Sequence, residues 1–175
     1  MEKSLIIYQS KYGATRKYAD WLSERTGFDC AETKQANSDM LKGYDTIIYG
    51  GGIYASGIAG FSFIKKNIDL LTSKKLFVFC VGASPYDEAA YQEVKKHNFK
   101  NISADIPLFY YRGAWDENNM TFRDKNLCKM LHKAIAKKGP ANYEPWMQAL
   151  MGSVGQKSDW TDQSYLNPLL ACLNP

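Results

Sequence analysis

Short apolar runs alternate with longer amphipathic stretches along the 175 residues of this chain. The runs are rich in β-branched and aromatic side chains. Those in the middle of the chain are apolar at nearly every position, which is typical of strands covered on both faces. Strands are predicted at residues 4–9, 28–32, 46–50, 76–81 and 106–111. Because helix-like stretches separate them, the pattern predicts an α/β protein around a parallel sheet.

The stretches between the strands carry apolar residues at intervals of three and four positions, which predicts helices with one apolar face. Helices are predicted at about residues 15–25, 37–41, 61–71, 121–138 and 165–173, and after a cap at residues 84–85. The helix at 121–138 is the clearest, because Gly139 and Pro140 end it and its apolar residues form one stripe. The stripe consists of Leu127, Met130, Leu131, Ala134 and Ile135.

Length and composition indicate one compact unit. A chain of this size with 45% apolar residues can bury one core, so we predict a single domain over residues 1–175 with an aromatic-rich extension at 139–175. Its formal charge of +4 comes from 22 basic and 18 acidic residues that are interspersed, so nucleic-acid binding is not predicted. The first apolar run is too short for a signal peptide or an integral membrane segment, which predicts a cytoplasmic protein.

The cysteines and histidines show no metal-binding pattern. Four cysteines lie far apart without a CxxC pair and are predicted to be reduced and mostly buried: Cys30, Cys80, Cys128 and Cys172. His97 and His132 fall in lysine-rich, helix-like stretches, which predicts solvated side chains. We predict no metal site and no catalytic side chain.

The loop after the first predicted strand carries the most chemical information. Residues 10–15, Ser-Lys-Tyr-Gly-Ala-Thr, join a strand to a helix. Such a loop points backbone N–H groups at one spot where the helix dipole favours an anion, which outlines a phosphate site. Gly13 lets the backbone approach closely, and Lys11 adds positive charge. Taken alone, the loop fits equally well an ordinary turn in which Ser10 is a turn residue and Thr15 caps the helix.

The same loop resembles the phosphate-binding signature of flavodoxins, T/S-x-T-G-x-T. Ser10, Gly13 and Thr15 are in register, and Tyr12 replaces the middle threonine. The resemblance implies a three-layer, doubly wound, flavodoxin-like sheet of five parallel strands in the order 2-1-3-4-5, with FMN as its cofactor. It also implies that the loops after the third and fourth strands, within residues 50–57 and 82–86, hold the isoalloxazine ring.

Both ring loops contain an aromatic residue. Tyr54 is the first candidate for stacking on the ring and Tyr86 the second, because a planar side chain presents a large face. The alternative for both is an aromatic residue that covers the edge of the core, and Ser84 fits a helix cap better than a flavin contact. The predicted cofactor-binding residues are Ser10, Lys11, Tyr12, Gly13, Ala14, Thr15, Gly52, Ile53, Tyr54, Ala55, Gly57, Gly82, Ala83, Ser84 and Tyr86.

Residues 108–116, the basic amphipathic helix after them and residues 158–162 are similar to one branch of the flavodoxin-like proteins. That branch includes the menaquinone-dependent protoporphyrinogen IX dehydrogenases. The resemblance implies that Arg112 and Trp115 lie near the flavin edge. The alternative, which we favour slightly, pairs Arg112 with a surface carboxylate and packs Trp115 on the last strand.

Three functions stay open at this point. The first is an FMN-binding redox protein, carrier or oxidoreductase, whose partner is a redox protein or a small substrate such as a porphyrinogen or a quinone. The second is a protoporphyrinogen dehydrogenase-like enzyme with a quinone acceptor. The third is a flavin-free binding module. The net positive charge favours an acidic partner, although a solvated lysine face explains it equally well.

Overall fold

The computed structural model of the chain describes residues 2–173. The strands are β1 (Ser4–Gln9), β2 (Asp29–Glu32), β3 (Thr46–Tyr54), β4 (Gly57–Ile58), β5 (Lys75–Gly82), β6 (Leu108–Arg112), β7 (Ala114–Asp116) and β8 (Lys157–Asp159). The helices are α1 (Ala14–Thr26), α2 (Ser38–Lys42), α3 (Ser62–Lys66), α4 (Ile68–Leu71), α5 (Glu88–Phe99), α6 (Phe122–Ala136), α7 (Pro145–Gly152) and α8 (Asn167–Leu173). Among these helices, none has the length and apolarity needed to cross a membrane.

The main sheet is parallel, with the strand order β2-β1-β3-β5-β6. Numbered among themselves, its five parallel strands run 2-1-3-4-5, so the predicted flavodoxin-like topology is confirmed. Leu5 of β1 lies opposite Ile47 of β3, which lies opposite Leu76 of β5. The short β4 pairs antiparallel with the end of β3, and β7 and β8 form a separate two-stranded ribbon.

Two cores enclose this sheet, because successive side chains of a strand point to opposite faces. Leu5 and Ile7 pack on the face covered by α2 to α5, whereas Ile6 and Tyr8 pack on the face covered by α1 and α8. Leu169 of α8 is completely buried in the second core. The C-terminal extension therefore completes the third layer of the fold.

Some boundaries differ from the prediction for local reasons. The predicted helix at 61–71 is divided into α3 and α4 at Asn67. The Asn67 side-chain amide donates to the Phe63 carbonyl at 2.8 Å, and its oxygen accepts from the Ser38 hydroxyl at 2.6 Å. Such side-chain bonds compete with the helical ladder. Strand β6 begins two residues later than predicted, after Pro107, which has no N–H to donate.

The glycine triplet at 50–52 belongs to β3, although we predicted that the strand ends at Gly50. A β-carbon on Gly50 would lie 2.0 Å from Cζ of Phe79, and one on Gly51 would lie 2.6 Å from the carbonyl oxygen of Ala59. Glycine is therefore required at both positions by close packing inside the sheet rather than by a loop.

The predicted stripe of α6 lies mostly in solvent. Of the stripe, only Ile135 is buried, while Leu127, Met130 and Leu131 are exposed. The helix thus packs on the rest of the domain through few residues, and its other apolar side chains are exposed to solvent.

The prediction for the thiols was wrong in part. Cys80 is buried and Cys128 half-buried, but Cys30 and Cys172 are exposed, and all four are free within residues 2–173. His97 is exposed, as predicted. His132 is not solvated, because α6 turns it inward to a position where its Nε2 lies 3.9 Å from Oε1 of Glu117. Among the described residues, no three His, Cys, Asp or Glu side chains are grouped as a metal site requires.

Candidate functional site

The loop between β1 and α1 places an open helix N-terminus at the carboxyl edge of the sheet. Gly13 adopts φ 99°, and a β-carbon there would meet no described atom within 4 Å. The Gly13 N–H donates to Oγ of Ser10 at 3.1 Å, and the Gly13 carbonyl accepts the first helical bond from Lys17 at 2.9 Å. The N–H groups of residues 14–16 precede that ladder, so they form the positive end of the helix dipole. Thr15 is buried in the first turn and is not the cap.

An aspartate from α6 contacts this loop, and no motif in the sequence indicated that contact. Oδ2 of Asp124 lies 2.5 Å from Nζ of Lys11 and also accepts a hydrogen bond from the Tyr12 hydroxyl. The backbone N–H of Thr121 donates to the same hydroxyl at 3.3 Å. Hydrogen bonds from Lys11 and then Tyr12 hold the pKa of Asp124 below its usual value, so the carboxylate is charged at neutral pH. Helix α6 is thereby attached to the loop by its first turn.

Tyr54 lies beside the same loop, at the end of β3. A cleft of about 300 Å³ is lined by Gln9, Ser10, Lys11, Tyr54 and Ala59. The Tyr54 ring folds back over Gly52, where a β-carbon would lie 3.1 Å from Cε2 of the ring and 3.6 Å from Oγ1 of Thr15. Partial burial raises the pKa of Tyr54, so its phenol is neutral at physiological pH. The first and third loops therefore meet, as the resemblance implied.

The third loop is a β-hairpin rather than an extended glycine-rich loop. Ala55 and Ser56 form its turn with φ values of 46° and 63°. Positive φ at both central positions is typical of a type I′ turn, which is usually built from asparagine and glycine. Two residues with side chains hold this conformation only if neighbouring contacts stabilise it.

Asn98 of α5 supplies those contacts. Its Oδ1 accepts from the Ile58 N–H at 2.8 Å, and its Nδ2 donates to the Ser56 carbonyl at 2.7 Å. The same Nδ2 donates to the Val94 carbonyl at 2.7 Å. Asn98 is only 4% exposed, so these bonds lie away from water. It is the residue that fixes the hairpin carrying Tyr54, and no sequence motif marks it.

The fourth loop is held by its neighbours on β6. The Gly113 N–H donates to the Gly82 carbonyl at 2.7 Å, and Nε of Arg112 donates to the Ala83 carbonyl at 3.2 Å. The Tyr110 hydroxyl donates to the Ser84 carbonyl. Ser84 does not cap α5, contrary to our prediction. Asp87 is the cap, and its Oδ1 accepts from the Ala90 N–H at 2.9 Å.

Tyr86 points into a different cleft from Tyr54. Its ring lies 5.7 Å from that of Tyr91 and 6.0 Å from that of Tyr110, and its hydroxyl donates to Glu88. This second cleft, of about 340 Å³, is lined by Tyr86, Tyr91, Leu108, Phe109, Tyr110, Tyr111, Ser164, Tyr165 and Pro168. A flavin contact of Tyr86 remains a prediction.

Arg112 has a partner other than the one favoured from the sequence, and the packing of Trp115 on the last strand stays a prediction. The guanidinium carbon of Arg112 lies 4.1 Å from the ring centroid of Trp160, which is a cation–π distance. The indole N–H of Trp115 donates to Oε1 of Glu117 at 3.3 Å. Arg112 thus joins the fourth loop to the C-terminal extension, and within residues 2–173 it forms no ion pair with the surface carboxylate that we predicted.

In the class of open, doubly wound parallel sheets, ligands bind outside the carboxyl ends of the strands where the strand order reverses, and here the N-terminus of α1 follows β1 at that point. A family model described as a flavodoxin domain matches residues 5–142. The chain belongs to this flavodoxin-domain family, whose members generally bind a flavin, and it is a flavin-binding redox protein.

Individual relatives are distant. An uncharacterised protein of Methanocaldococcus jannaschii is 24% identical over 150 residues, which cover 77% of this chain and 99% of that protein. Among solved structures, oxidised flavodoxin 1 of Bacillus cereus is 20% identical, with a TM-score of 0.44 over 63% of this chain and 84% of its own. A flavodoxin from the domain Archaea is 20% identical, with a TM-score of 0.40 over 78% of this chain and 97% of its own.

Proposed function

We propose that this chain binds one FMN and transfers electrons through it. In this proposal the phosphate lies against the first turn of α1, and the isoalloxazine ring lies beside Tyr54. The observation that carries the proposal is the open N-terminus of α1 at Gly13, next to a cleft that Tyr54 lines. Membership of the flavodoxin-domain family supports the choice of a flavin.

The residues of the loop fit a phosphate dianion. A β-carbon at Gly13 would meet no described atom within 4 Å, so the backbone is open on that side, and the N–H groups of residues 14–16 can donate to phosphate oxygens. Lys11 contributes little net charge, because Asp124 already pairs with it. Binding therefore relies on backbone donors and the helix dipole, which is consistent with the replacement of the middle threonine of the signature by Tyr12.

Bound FMN supplies the one- and two-electron chemistry. The chain positions the ring through the β3–β4 hairpin, and Tyr54 shields one side of it from water. No side chain near the cleft is required to transfer a proton or to form a covalent bond. The physiological electron donor and acceptor are redox partners of unspecified identity.

Titration of the flavin-free protein with FMN and with riboflavin tests this proposal. We expect stoichiometric FMN uptake, with a yellow protein and quenched flavin fluorescence. Riboflavin, which lacks the phosphate, is expected to bind about 10-fold to 100-fold more weakly, the value of one or two hydrogen bonds to a charged group. A folded protein that takes up neither flavin would leave only the flavin-free binding module.

Substitution of Tyr54 tests the position of the ring. Tyr54→Ala is expected to weaken FMN and riboflavin by about tenfold each, because both ligands lose the same aromatic contact. Tyr86→Ala is the matched control, since Tyr86 is 56% exposed and Tyr54 45% exposed, but Tyr86 lines the other cleft. Equal losses of flavin affinity in the two variants would show that the isoalloxazine ring does not bind preferentially beside Tyr54.

Substitution of Asp124 tests the charge balance of the loop. Asp124→Asn removes the negative charge that pairs with Lys11, and it keeps a side-chain oxygen that can accept a hydrogen bond from the Tyr12 hydroxyl. We expect FMN to bind about threefold more tightly, the effect of one partly exposed charge, while riboflavin affinity stays unchanged. Asp20→Asn, which alters the exposed pair of Asp20 with Arg16 on α1, is the control. Weaker or unchanged FMN binding by Asp124→Asn would count against a phosphate beside Lys11.

A further inference from the structure

Helix α6 exposes an apolar strip. Phe122, Leu127 and Met130 are 81%, 58% and 67% exposed, and Leu131 is exposed as well. Leu127, Met130, Leu131 and Ala134 follow one another at intervals of three, one and three positions, so they lie along one side of the helix. We call this set, together with Phe122, the α6 strip. Exposed apolar side chains gathered in this way mark an interaction surface.

A row of lysines runs along the α6 strip. Lys129, Lys133 and Lys137 recur every fourth residue and are all exposed. The segment 121–139 contains six Lys and Arg residues and one acidic residue, whereas the whole chain has a formal charge of only +4. That acidic residue is Asp124, which turns inward to Lys11 and Tyr12. The excess positive charge of the protein is therefore concentrated on this helix.

The geometry points to an anionic lipid surface as the occupant of the α6 strip. A helix with apolar residues on one side and long lysines beside them lies flat in a membrane interface, with its apolar side in the acyl boundary and its lysines near the phosphates. Neither cleft described above is lined by an α6 residue, so the strip is separate from both. A second copy of this chain is disfavoured, because two such lysine rows would repel each other.

This peripheral contact goes beyond the proposed function and does not depend on FMN. It has a consequence for the site, however, since Asp124 links α6 to the loop at Lys11. A protein attached through the α6 strip would hold the cleft of Tyr54 on the membrane-proximal side of the domain.

Sedimentation with lipid vesicles tests the proposal. We expect the protein to pellet with vesicles of phosphatidylglycerol and phosphatidylcholine, to remain in solution with phosphatidylcholine alone, and to be released by high salt, which screens exposed charges. The triple variant Lys129→Gln, Lys133→Gln, Lys137→Gln is expected to bind the anionic vesicles at least about tenfold more weakly. The double variant Leu127→Gln, Met130→Gln is expected to weaken binding at unchanged net charge.

The matched control is the triple variant Lys65→Gln, Lys66→Gln, Lys96→Gln, which removes the same charge from exposed positions on α3 and α5. It should sediment as the unmodified protein does. Equal losses in the two triple variants, or no binding to anionic vesicles at low salt, would overturn the proposal. Retention on immobilised polyglutamate without retention on the vesicles would overturn it in favour of an acidic protein. Flavin titration of each variant is a separate measurement, so a failure to bind FMN is distinguished from a failure to bind lipid.

Discussion

Replacing Gly13 with alanine is expected to weaken FMN binding by about 10-fold to 100-fold, the value of one or two hydrogen bonds to a charged group. Gly13 has φ 99°, a conformation in which an alanine is strained although nothing blocks its methyl group. When the loop moves to relax that strain, the N–H groups of residues 14–16 no longer point at one phosphate position. Riboflavin affinity should change little, because riboflavin has no phosphate to lose. Fluorescence titration with both flavins measures the difference.

Gly27→Ala provides the control for backbone strain. Gly27 ends the same helix with φ 72°, and an added β-carbon would again meet no described atom within 4 Å. Each substitution should lower the free energy of unfolding by about 1 kcal/mol. Only the Gly13 variant should lose FMN. Similar FMN affinities in the two variants would show that the phosphate does not bind at the N-terminus of α1.

Replacing Asn98 with alanine is expected to lower the free energy of unfolding by about 3 kcal/mol, because it leaves buried backbone groups without partners. The Ile58 N–H and the Ser56 carbonyl both lose a bond, so the positive φ values of Ala55 and Ser56 are no longer enforced. We expect FMN and riboflavin to weaken by the same factor, about tenfold, since the hairpin positions the ring and not the phosphate. Denaturant unfolding and flavin titration give the two values.

Val94→Ala separates this local effect from a general loss of stability. Val94 is buried one turn before Asn98 on α5, and its truncation should cost about 2 kcal/mol without removing a hairpin bond. At a temperature where both variants are folded, only Asn98→Ala should bind flavin more weakly. If Val94→Ala weakens flavin binding to the same degree as Asn98→Ala, the role assigned to Asn98 is wrong.

The parts of the molecule that follow from local physics were predictable from the sequence. Strand β1, the turn at Gly13 and helix α1 form one contiguous stretch, so a run of apolar residues, a glycine and an amphipathic period are sufficient to locate them. The parallel order followed from the resemblance, and the complete burial of Leu5 and Ile6 in opposite cores agrees with strands covered on both faces.

The contacts missed from the sequence join residues far apart in the chain. Asp124 reaches Lys11 across 113 positions, and Asn98 reaches Ser56 across 42. Nothing near either residue indicates its partner, since an aspartate in the first turn of a helix and an asparagine near the end of one are common choices for local reasons. Gly51 was assigned to a loop because the Ala59 carbonyl, which fills its side-chain space, comes close only in the folded sheet.

Helix α8 covers the same side of the sheet as α1, against strands that all precede it in the chain. During synthesis, the apolar side chains of Ile6, Ile48 and Phe79 stay partly uncovered until Leu166 and Leu169 have left the ribosome. The nascent chain therefore exposes this apolar surface after most of the parallel strands have become available to pair with one another. Shortening the protein before Leu166 should for this reason yield aggregates rather than a smaller stable domain, even though the flavin loops would all be intact.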